Sequence, residues 1–245
     1  MLRNITRDQL LQLNLKAFAQ SLEDSPSAYI DNDLSFQEQL SVFLDIEINE
    51  RKNKKIERLL KSAKLRYSNA VIESIDYKAS RKLKKSDISH LFRCEWIEQH
   101  QNVIVTGATG CGKTWLGCAL ANQACRLGIS TLYIHANQLF EDISLSILDG
   151  SLAKYRQKLI KTRLLMIDDI GIGGIDASVS PTLLEIIDRQ SMNGALILTS
   201  QFPTERWYDF FEDKTVADAI LDRVVHNSHK IELFGESMRK LQSLK

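Results

Sequence analysis

The spacing of the apolar residues changes near residue 100, which predicts two structurally different parts of the chain. In the first ninety-odd residues, apolar side chains recur at helical intervals. Two residue pairs have the spacing of a capping box, in which a hydroxyl and a side chain three residues later satisfy free amides at a helix start. The pairs are Thr6 with Gln9 and Ser35 with Glu38. We therefore predict helices that start at these pairs, with a break over residues 24–33.

Beyond residue 101 the apolar residues gather in short runs, separated by stretches long enough for a helix. The runs are 102–106, 131–135, 164–168, 195–199 and 230–234. Strands that alternate with helices form a parallel sheet with crossover helices on both faces. The pattern therefore predicts an α/β domain with a five-stranded parallel sheet, and a boundary to the helical part near residues 94–100.

A glycine-rich segment, GATGCGKT, joins the first predicted strand to a helix-periodic stretch. It consists of Gly107, Ala108, Thr109, Gly110, Cys111, Gly112, Lys113 and Thr114. This order of strand, loop and helix is typical of a phosphate-binding loop, because glycines let backbone amides turn toward an anion. Lys113 would bring its charge to the β- and γ-phosphates, and the Thr114 hydroxyl would bind Mg²⁺. The alternative is an unrelated glycine turn, an accident of roughly one in a hundred from average composition.

Two adjacent carboxylates end the third predicted strand, in the sequence LLMIDD. Asp168 is placed to hold Mg²⁺ through water, and Asp169 is placed to polarise the water that attacks a phosphate. With the glycine-rich loop, these carboxylates predict ATP and Mg²⁺ as cofactors. The alternative interpretation is two solvated acids at the end of a strand.

Charge is distributed unevenly along the 245 residues, although 32 basic and 31 acidic residues leave a net charge of +1. Residues 1–50 carry −6, residues 51–93 carry +10 and residues 94–245 carry −3. The total excludes a uniformly basic nucleic-acid coat, but the central segment could bind DNA phosphates. Its candidates are Lys52, Lys54, Lys55, Arg58, Lys61, Lys64, Arg66, Arg81, Lys82, Lys84 and Lys85. The alternative is a solvated helix face that balances the acidic first fifty residues.

The cysteines and the apolar runs indicate the compartment. Cys111, Cys118 and Cys125 recur every seven residues, which places them on one helix face as core residues and not in a disulfide framework. His90 and Cys94 have the spacing of metal ligands, but with no second pair nearby a zinc site is a weak interpretation. No apolar run approaches the roughly 18 residues of a membrane span. We therefore expect a cytoplasmic protein with no membrane partner.

Four segments together resemble the IstB-like ATP-binding proteins of insertion sequences, which are relatives of the DnaC helicase loader within the AAA+ ATPases. The segments are GATGCGKT, LLMIDDIG, LILTSQFP and DAILDRVVHNSHKIELFGESMRK. The resemblance covers most of residues 65–245. It implies a helical N-terminal domain for DNA or partner binding over 1–65, a basic linker and helix over 66–100, and an AAA+ ATPase domain over 101–245. Because the sequence stops six residues after Arg239, we also expect the helical lid of larger AAA+ proteins to be missing.

The resemblance assigns roles to residues around the predicted site. Asp168 would be the Walker B metal ligand, and Asp169 the catalytic acid where many AAA+ proteins have glutamate. Gln201 is the first candidate for the γ-phosphate sensor, and Ser200 is the second. Arg223 falls at the place of an arginine finger that reaches the neighbouring subunit, and Arg239 at the place of a second sensor that binds nucleotide. A surface salt bridge is the alternative for each arginine.

The resemblance also implies a function: a Mg²⁺-dependent, slow ATPase that self-assembles with ATP on duplex DNA, distorts that DNA, and recruits and activates a partner transposase. A DnaC-like helicase loader is the closest alternative, and it would favour single-stranded DNA. A small-molecule kinase is a third hypothesis. The adjacent aspartates, Arg223 and the basic N-terminal region argue against a kinase, because a monomeric kinase needs none of them.

Overall fold

The computed structural model describes residues 2–24, 34–77, 82–235 and 237–238. The chain forms two compact units, Met1–Arg58 and Leu59–Lys245. The predicted division into 1–65, 66–100 and 101–245 stays a prediction, and each unit is described by itself.

The first unit is helical, as the apolar spacing predicts. Its helices are α1 (Leu2–Gln12), α2 (Lys16–Asp24) and α3 (Phe36–Ala63), of which α3 continues into the second unit. The predicted start at Thr6 is wrong, because α1 already begins at Leu2, and the chain turns at Asn14, whose φ is 59°. The start at Ser35 is confirmed: its amide donates to Glu38 Oε2 at 2.8 Å. Of the predicted break, residues 25–33 lie outside the described residues.

Helices α2 and α3 pack through one aromatic pair and one buried carboxylate. The ring centroids of Phe18 and Phe43 lie 5.2 Å apart. Glu47 Oε2 on α3 accepts hydrogen bonds from the amides of Ala17 and Phe18 in the first turn of α2, at 2.8 and 3.1 Å. A carboxylate on one helix therefore satisfies free amides at the start of another.

The second unit contains a five-stranded parallel sheet with the order β2-β3-β4-β1-β5. Its strands are β1 (Asn102–Gly107), β2 (Thr131–His135), β3 (Leu164–Asp168), β4 (Ala195–Ser200) and β5 (Ser228–Leu233). All five predicted strands are confirmed, with β5 starting two residues before the predicted run. Because β1 and β4 lie next to each other between β3 and β5, the carboxyl ends of β1, β3 and β4 meet at one edge of the sheet.

Helices cover both faces of this sheet. They are α4 (Lys85–Ile88), α5 (Glu95–Glu98), α6 (Lys113–Arg126), α7 (Ala136–Leu148), α8 (Leu152–Ile160), α9 (Ser180–Asn193) and α10 (Lys214–Val225). Short 3₁₀ helices span Ile72–Ser74, Ser89–Arg93 and Thr204–Phe210. Successive strand residues enter opposite cores: Val103 packs with α6, whereas Ile104 packs with α7, α9 and α10.

The cysteines are core residues, as predicted. Cys111, Cys118 and Cys125 are fully buried and free, and Cys94 is 2% exposed. Within the described ranges, no helix combines the length and the apolar character that a membrane crossing requires.

Candidate functional site

The glycine-rich loop over residues 107–114 connects β1 to α6. Gly107, Gly110 and Gly112 have φ values of 142°, 83° and 95°, which side-chain-bearing residues rarely adopt. A Cβ on Gly107 would lie 2.2 Å from the carbonyl oxygen of Leu233 on β5, so the strand leaves no room for a larger residue. The loop therefore turns sharply into the N-terminus of α6, where amides and the helix dipole favour an anion.

Lys113 is the first residue of α6 and only 5% exposed. Its Nζ donates to the carbonyl oxygen of Ala108 at 3.0 Å, so the ammonium group lies across the loop. On the other side of the loop, the amide of Met238 donates to the carbonyl oxygen of Gly110 at 2.9 Å. A phosphate group bound by the loop amides would meet the Lys113 charge directly.

Asp168 is fully buried at the end of β3, and hydroxyl groups surround its carboxylate. Oδ1 accepts from Thr114 Oγ1 at 2.9 Å and from Thr199 Oγ1 at 2.6 Å. Oδ2 accepts from the Tyr133 hydroxyl at 2.9 Å. Burial, followed by the charge of Asp168, raises the pKa of Tyr133, so that the phenol remains a donor. The carboxylate is thus satisfied and oriented toward the start of α6.

Asp169 follows in a left-handed conformation, with a φ of 57°. Its amide donates to Thr199 Oγ1 at 2.8 Å, and its Oδ2 lies 4.0 Å from His135 Nε2. Burial is the main cause that raises the pKa of Asp169, and the charge of Asp168 adds to it, while Lys113 and other cations act in the opposite direction. One threonine hydroxyl therefore connects the carboxylate of Asp168 to the backbone amide of Asp169.

These groups fit a magnesium–nucleotide ligand. Mg²⁺ prefers hard oxygen ligands and usually keeps several waters, which suits the Thr114 hydroxyl beside the Asp168 carboxylate. Phosphates suit the glycine-lined loop and Lys113. The sequence brings these residues together because they lie at the carboxyl ends of β1 and β3, at the same edge of the sheet.

The two sensor candidates at the end of β4 differ in their surroundings. Gln201 Oε1 accepts from Thr109 Oγ1 in the glycine-rich loop at 2.7 Å. Ser200 is fully buried, and its hydroxyl donates to the carbonyl oxygen of Ile170 at 2.8 Å. The geometry therefore favours Gln201, because its side chain faces the loop while the Ser200 hydroxyl is used within the fold.

Arg223 lies on α10, where its Nε donates to Asp188 Oδ1 on α9 at 2.6 Å. Its Nη1 donates to the carbonyl oxygen of Ala219 at 2.8 Å, and 36% of the side chain is exposed. The guanidinium is thus held at the surface by its own chain. Arg239, the second arginine candidate, lies outside the described residues.

Most of the predicted DNA-binding residues are exposed. The exposed ones are Lys52, Lys54, Lys55, Arg58, Lys61, Lys64, Arg66, Lys82, Lys84 and Lys85, whereas Arg81 lies outside the described residues. Lys54 forms an ion pair with Glu50 at 2.9 Å. Arg66 differs from the others, because its Nη1 lies 3.8 Å from Asp168 Oδ2 in the candidate site. His90 Nε2 lies 3.3 Å from His229 Nδ1, and the described residues contain no group of three potential metal ligands.

Four residues of the site are missing from the sequence-based assignment: Arg66 as a site residue, Tyr133, His135 and Thr199. A signal for two of them is present in β2, where Tyr133 and His135 alternate as polar residues near the carboxyl end of the strand. Such residues meet the end of β3 only when β2 pairs with it, and the pairing of His135 with Asp168 is a tertiary fact. Thr199 directly precedes the two sensor candidates.

Comparison with known proteins identifies the family to which the chain belongs. The sequence model of the family described as IstB-like ATP binding protein matches residues 8–245. An insertion sequence ATP-binding protein of Sinorhizobium fredii is 39% identical over 246 residues, which cover 99% of this chain and 97% of that protein. The insertion sequence IS1162 ATP-binding protein of Pseudomonas fluorescens is 40% identical over 204 residues, covering 83% and 88%.

Solved structures share the fold at lower identity. DnaI superposes with a TM-score of 0.60 at 21% identity, covering 73% of this chain and 94% of that chain. The DnaC helicase loader superposes with a TM-score of 0.54 at 18% identity, covering 68% and 98%. These similarities concern the fold alone, and they agree with the predicted sheet and its flanking helices.

Proposed function

Because the chain belongs to the IstB-like ATP-binding proteins of insertion sequences, an AAA+ family, we propose that it is a Mg²⁺-dependent ATPase that assists transposition. It binds ATP, assembles on duplex DNA, remodels that DNA and recruits or activates the partner transposase. The observation that carries the proposal is the convergence of the glycine-rich loop, Thr114, Asp168 and Asp169 at one edge of the sheet.

Each residue has a chemical role in this proposal. The loop amides and Lys113 bind the phosphates, while Thr114 and Asp168 would hold the magnesium ion. When bound, that ion supplies positive charge to the phosphate oxygens. Asp169 orients and polarises the attacking water, and its partly exposed carboxylate is accessible to that water. An aspartate is shorter than glutamate, which favours slow hydrolysis.

Assembly follows from the placement of Arg223. The guanidinium lies at the surface of α10, and in the assembly it would reach the γ-phosphate bound by a neighbouring copy. ATP at such a seam would hold the copies together. Exposed lysines on α3, each a weak phosphate contact, would then act together on one duplex, so that nucleotide state controls DNA affinity.

The test compares the wild type with Lys113→Ala, and with Lys230→Ala as a control that removes an exposed lysine of β5. Each protein is mixed with Mg²⁺, a non-hydrolysable ATP analogue, and linear duplex or single-stranded DNA. Light scattering after size exclusion and electron microscopy then report assembly. The wild type and Lys230→Ala are expected to assemble on duplex DNA with nucleotide, whereas Lys113→Ala loses at least about tenfold in nucleotide affinity and does not assemble.

The outcomes separate the proposal from its alternatives. Assembly of Lys113→Ala at the wild-type level would contradict the role of the loop. Assembly on single strands in preference to duplex would favour a helicase loader. A wild-type protein that stays monomeric with and without nucleotide would refute the proposed mechanism.

A further inference from the structure

Arg66 belongs by sequence to the basic segment, but its side chain lies in the ATP site. Its Nη1 is 3.8 Å from Oδ2 of Asp168, the carboxylate oxygen that also accepts from the Tyr133 hydroxyl. The Asp168 side chain is fully buried, whereas 43% of the Arg66 side chain is exposed. The guanidinium therefore covers the carboxylate from the solvent side.

The chain around Arg66 is fixed to α6, the helix that begins with Lys113 and Thr114. Leu65 and Tyr67, its two neighbours, pack against the core on that face of the sheet. Asn122 Nδ2 on α6 donates to the carbonyl oxygen of Ser68 at 3.3 Å. Arg66 thus projects from a segment that is anchored to the phosphate-binding helix, and its distance from Asp168 follows from that anchoring.

The positive charge of Arg66 acts on the buried carboxylate of Asp168 more strongly than it would on a carboxylate at an open surface. Asp168 already has three hydroxyl donors, from Thr114, Thr199 and Tyr133, so Arg66 is not required to orient the carboxylate. Arg66 also forms a side-chain hydrogen bond with Tyr133. Its effect on Asp168 itself is electrostatic, because a positive charge close to a buried carboxylate is poorly screened by solvent. A guanidinium and a divalent cation attracted by the same carboxylate oppose each other.

We propose that Arg66 acts through Asp168, as the resident counter-ion that sets the magnesium affinity of the nucleotide site. The inference rests on the proposed function, because it needs Asp168 to be the magnesium ligand. Removal of the cationic Arg66 side chain would therefore strengthen the binding of a cation, Mg²⁺. Loss of folding or of general packing would weaken that binding instead.

The test measures how binding of a fluorescent ATP analogue depends on Mg²⁺ concentration, which needs no hydrolysis. Arg66→Ala is expected to lower the half-saturating Mg²⁺ concentration about three- to fivefold, the effect of losing one partly exposed ion pair. Arg66→Lys keeps the charge and is expected to stay close to the wild type. Arg126→Ala removes an arginine of similar exposure, whose ion pair with Glu73 lies at the far end of α6 from the loop; it is the matched control and is expected to leave the Mg²⁺ dependence unchanged.

An unchanged or raised Mg²⁺ requirement in folded Arg66→Ala would overturn the inference, and a loss of DNA affinity alone would place Arg66 among the phosphate contacts. If Arg66→Ala does not fold, Arg66→Gln is measured by the same titration, with the same lowered requirement expected. The proposed function fails separately, when the wild type binds no nucleotide at any Mg²⁺ concentration.

Discussion

At the residue scale, the two adjacent aspartates of the candidate site share one neutral side chain. Thr199 donates to Asp168 Oδ1 and accepts from the amide of Asp169, so its hydroxyl fixes both the Asp168 carboxylate and the Asp169 backbone. The residue is fully buried at the end of β4. Nothing in the sequence distinguishes it from its neighbours in the segment LILTSQFP, yet its hydroxyl holds both the Asp168 carboxylate and the Asp169 amide.

Thr199→Val keeps the shape of this side chain and removes its hydroxyl. The Asp169 amide then lacks its acceptor and Asp168 lacks one donor, so we expect a loss of about 1–3 kcal/mol in unfolding free energy. ATP hydrolysis is expected to fall by about tenfold, with a smaller effect on nucleotide binding, because the catalytic geometry is lost while the loop remains. Thermal melting and steady-state ATPase assays measure the two effects.

Thr131→Val is the control, because Thr131 is also buried but its hydroxyl donates to the carbonyl oxygen of Ile129, at the opposite end of the sheet. It is expected to change stability without a selective loss of hydrolysis. Equal effects of the two substitutions on hydrolysis would contradict the bridging role of Thr199.

The site could be predicted only where its chemistry is local in sequence. The glycine-rich loop and the aspartate pair are each contiguous, so their spacing alone indicates phosphate and metal chemistry. Tyr133 and Arg66 reach Asp168 through strand pairing and through a segment folded back on α6, which spacing does not encode. The choice between Ser200 and Gln201 likewise depends on which side chain faces the loop at the end of β4.

At the scale of elements, the strands were more predictable than the helix ends. Buried strands in a parallel sheet consist of apolar runs, and all five runs were visible in the sequence. Helix starts depend on caps, and only one of the two predicted capping boxes forms. Ser35 caps α3, but Thr6 lies inside α1, where the preceding residues continue the helix. The turn at Asn14 had no glycine or proline to indicate it.

The contact between α2 and α3 offers a prediction at this scale. Glu47→Ala removes the carboxylate that accepts from the amides of Ala17 and Phe18. These amides belong to the first turn of α2 and have no partner within it, so we expect a local loss of about 2 kcal/mol. Hydrogen exchange at the two amides is expected to accelerate by more than about tenfold. Glu50→Ala, which removes only an exposed pair with Lys54, is the control with little expected change.

The same carboxylate gives a pH dependence. Burial, the largest single effect, raises the pKa of Glu47, but the hydrogen bonds from Arg51, Phe18 and Ala17 outweigh it, and the pKa is lowered from its ordinary 4.5. The stabilisation is therefore present above pH 4.5 and is lost as the pH falls through the folded-state value. In the wild type, hydrogen exchange at the amides of Ala17 and Phe18 should therefore accelerate as the pH falls, after correction for the pH dependence of the intrinsic exchange rate. A Glu47→Ala protein with the same acid dependence would exclude Glu47 as its source.

At the scale of the whole molecule, the near-zero net charge conceals segments of opposite sign. The stretch over residues 51–93 carries +10, between stretches of −6 and −3. One arginine of that stretch, Arg66, lies beside Asp168 in the candidate site, and the lysines exposed on α3 remain available for phosphate contacts. Charge by segment therefore indicates a candidate surface for DNA phosphates that the total charge does not, provided that the contacts of each side chain are known.

If a second copy completes the candidate site, two variants that are inactive alone should regain ATPase activity when they are mixed. Arg223→Ala is expected to keep ATP binding and lose hydrolysis, because Arg223 lies on α10, paired with Asp188, and would act on a neighbour's nucleotide. Asp169→Asn is expected to lose hydrolysis in its own site. When the two inactive proteins are mixed equally, about a quarter of the interfaces should pair an intact Asp169 with an intact Arg223 in a head-to-tail assembly. ATPase activity measured across mixing ratios should peak near equality.

The matched control for this mixture is Arg156→Ala, which removes another arginine paired with α9, through Glu185. Because its ion pair belongs to the α8–α9 surface, it is expected to hydrolyse ATP on its own and to show no peak on mixing. Recovery in the first mixture, combined with activity in the second that only falls in proportion to the added Asp169→Asn protein, would locate the effect at Arg223. A first mixture that stays inactive at every ratio, while each protein still binds ATP and assembles, would place the catalytic arginine elsewhere and leave Arg223 as a surface partner of Asp188.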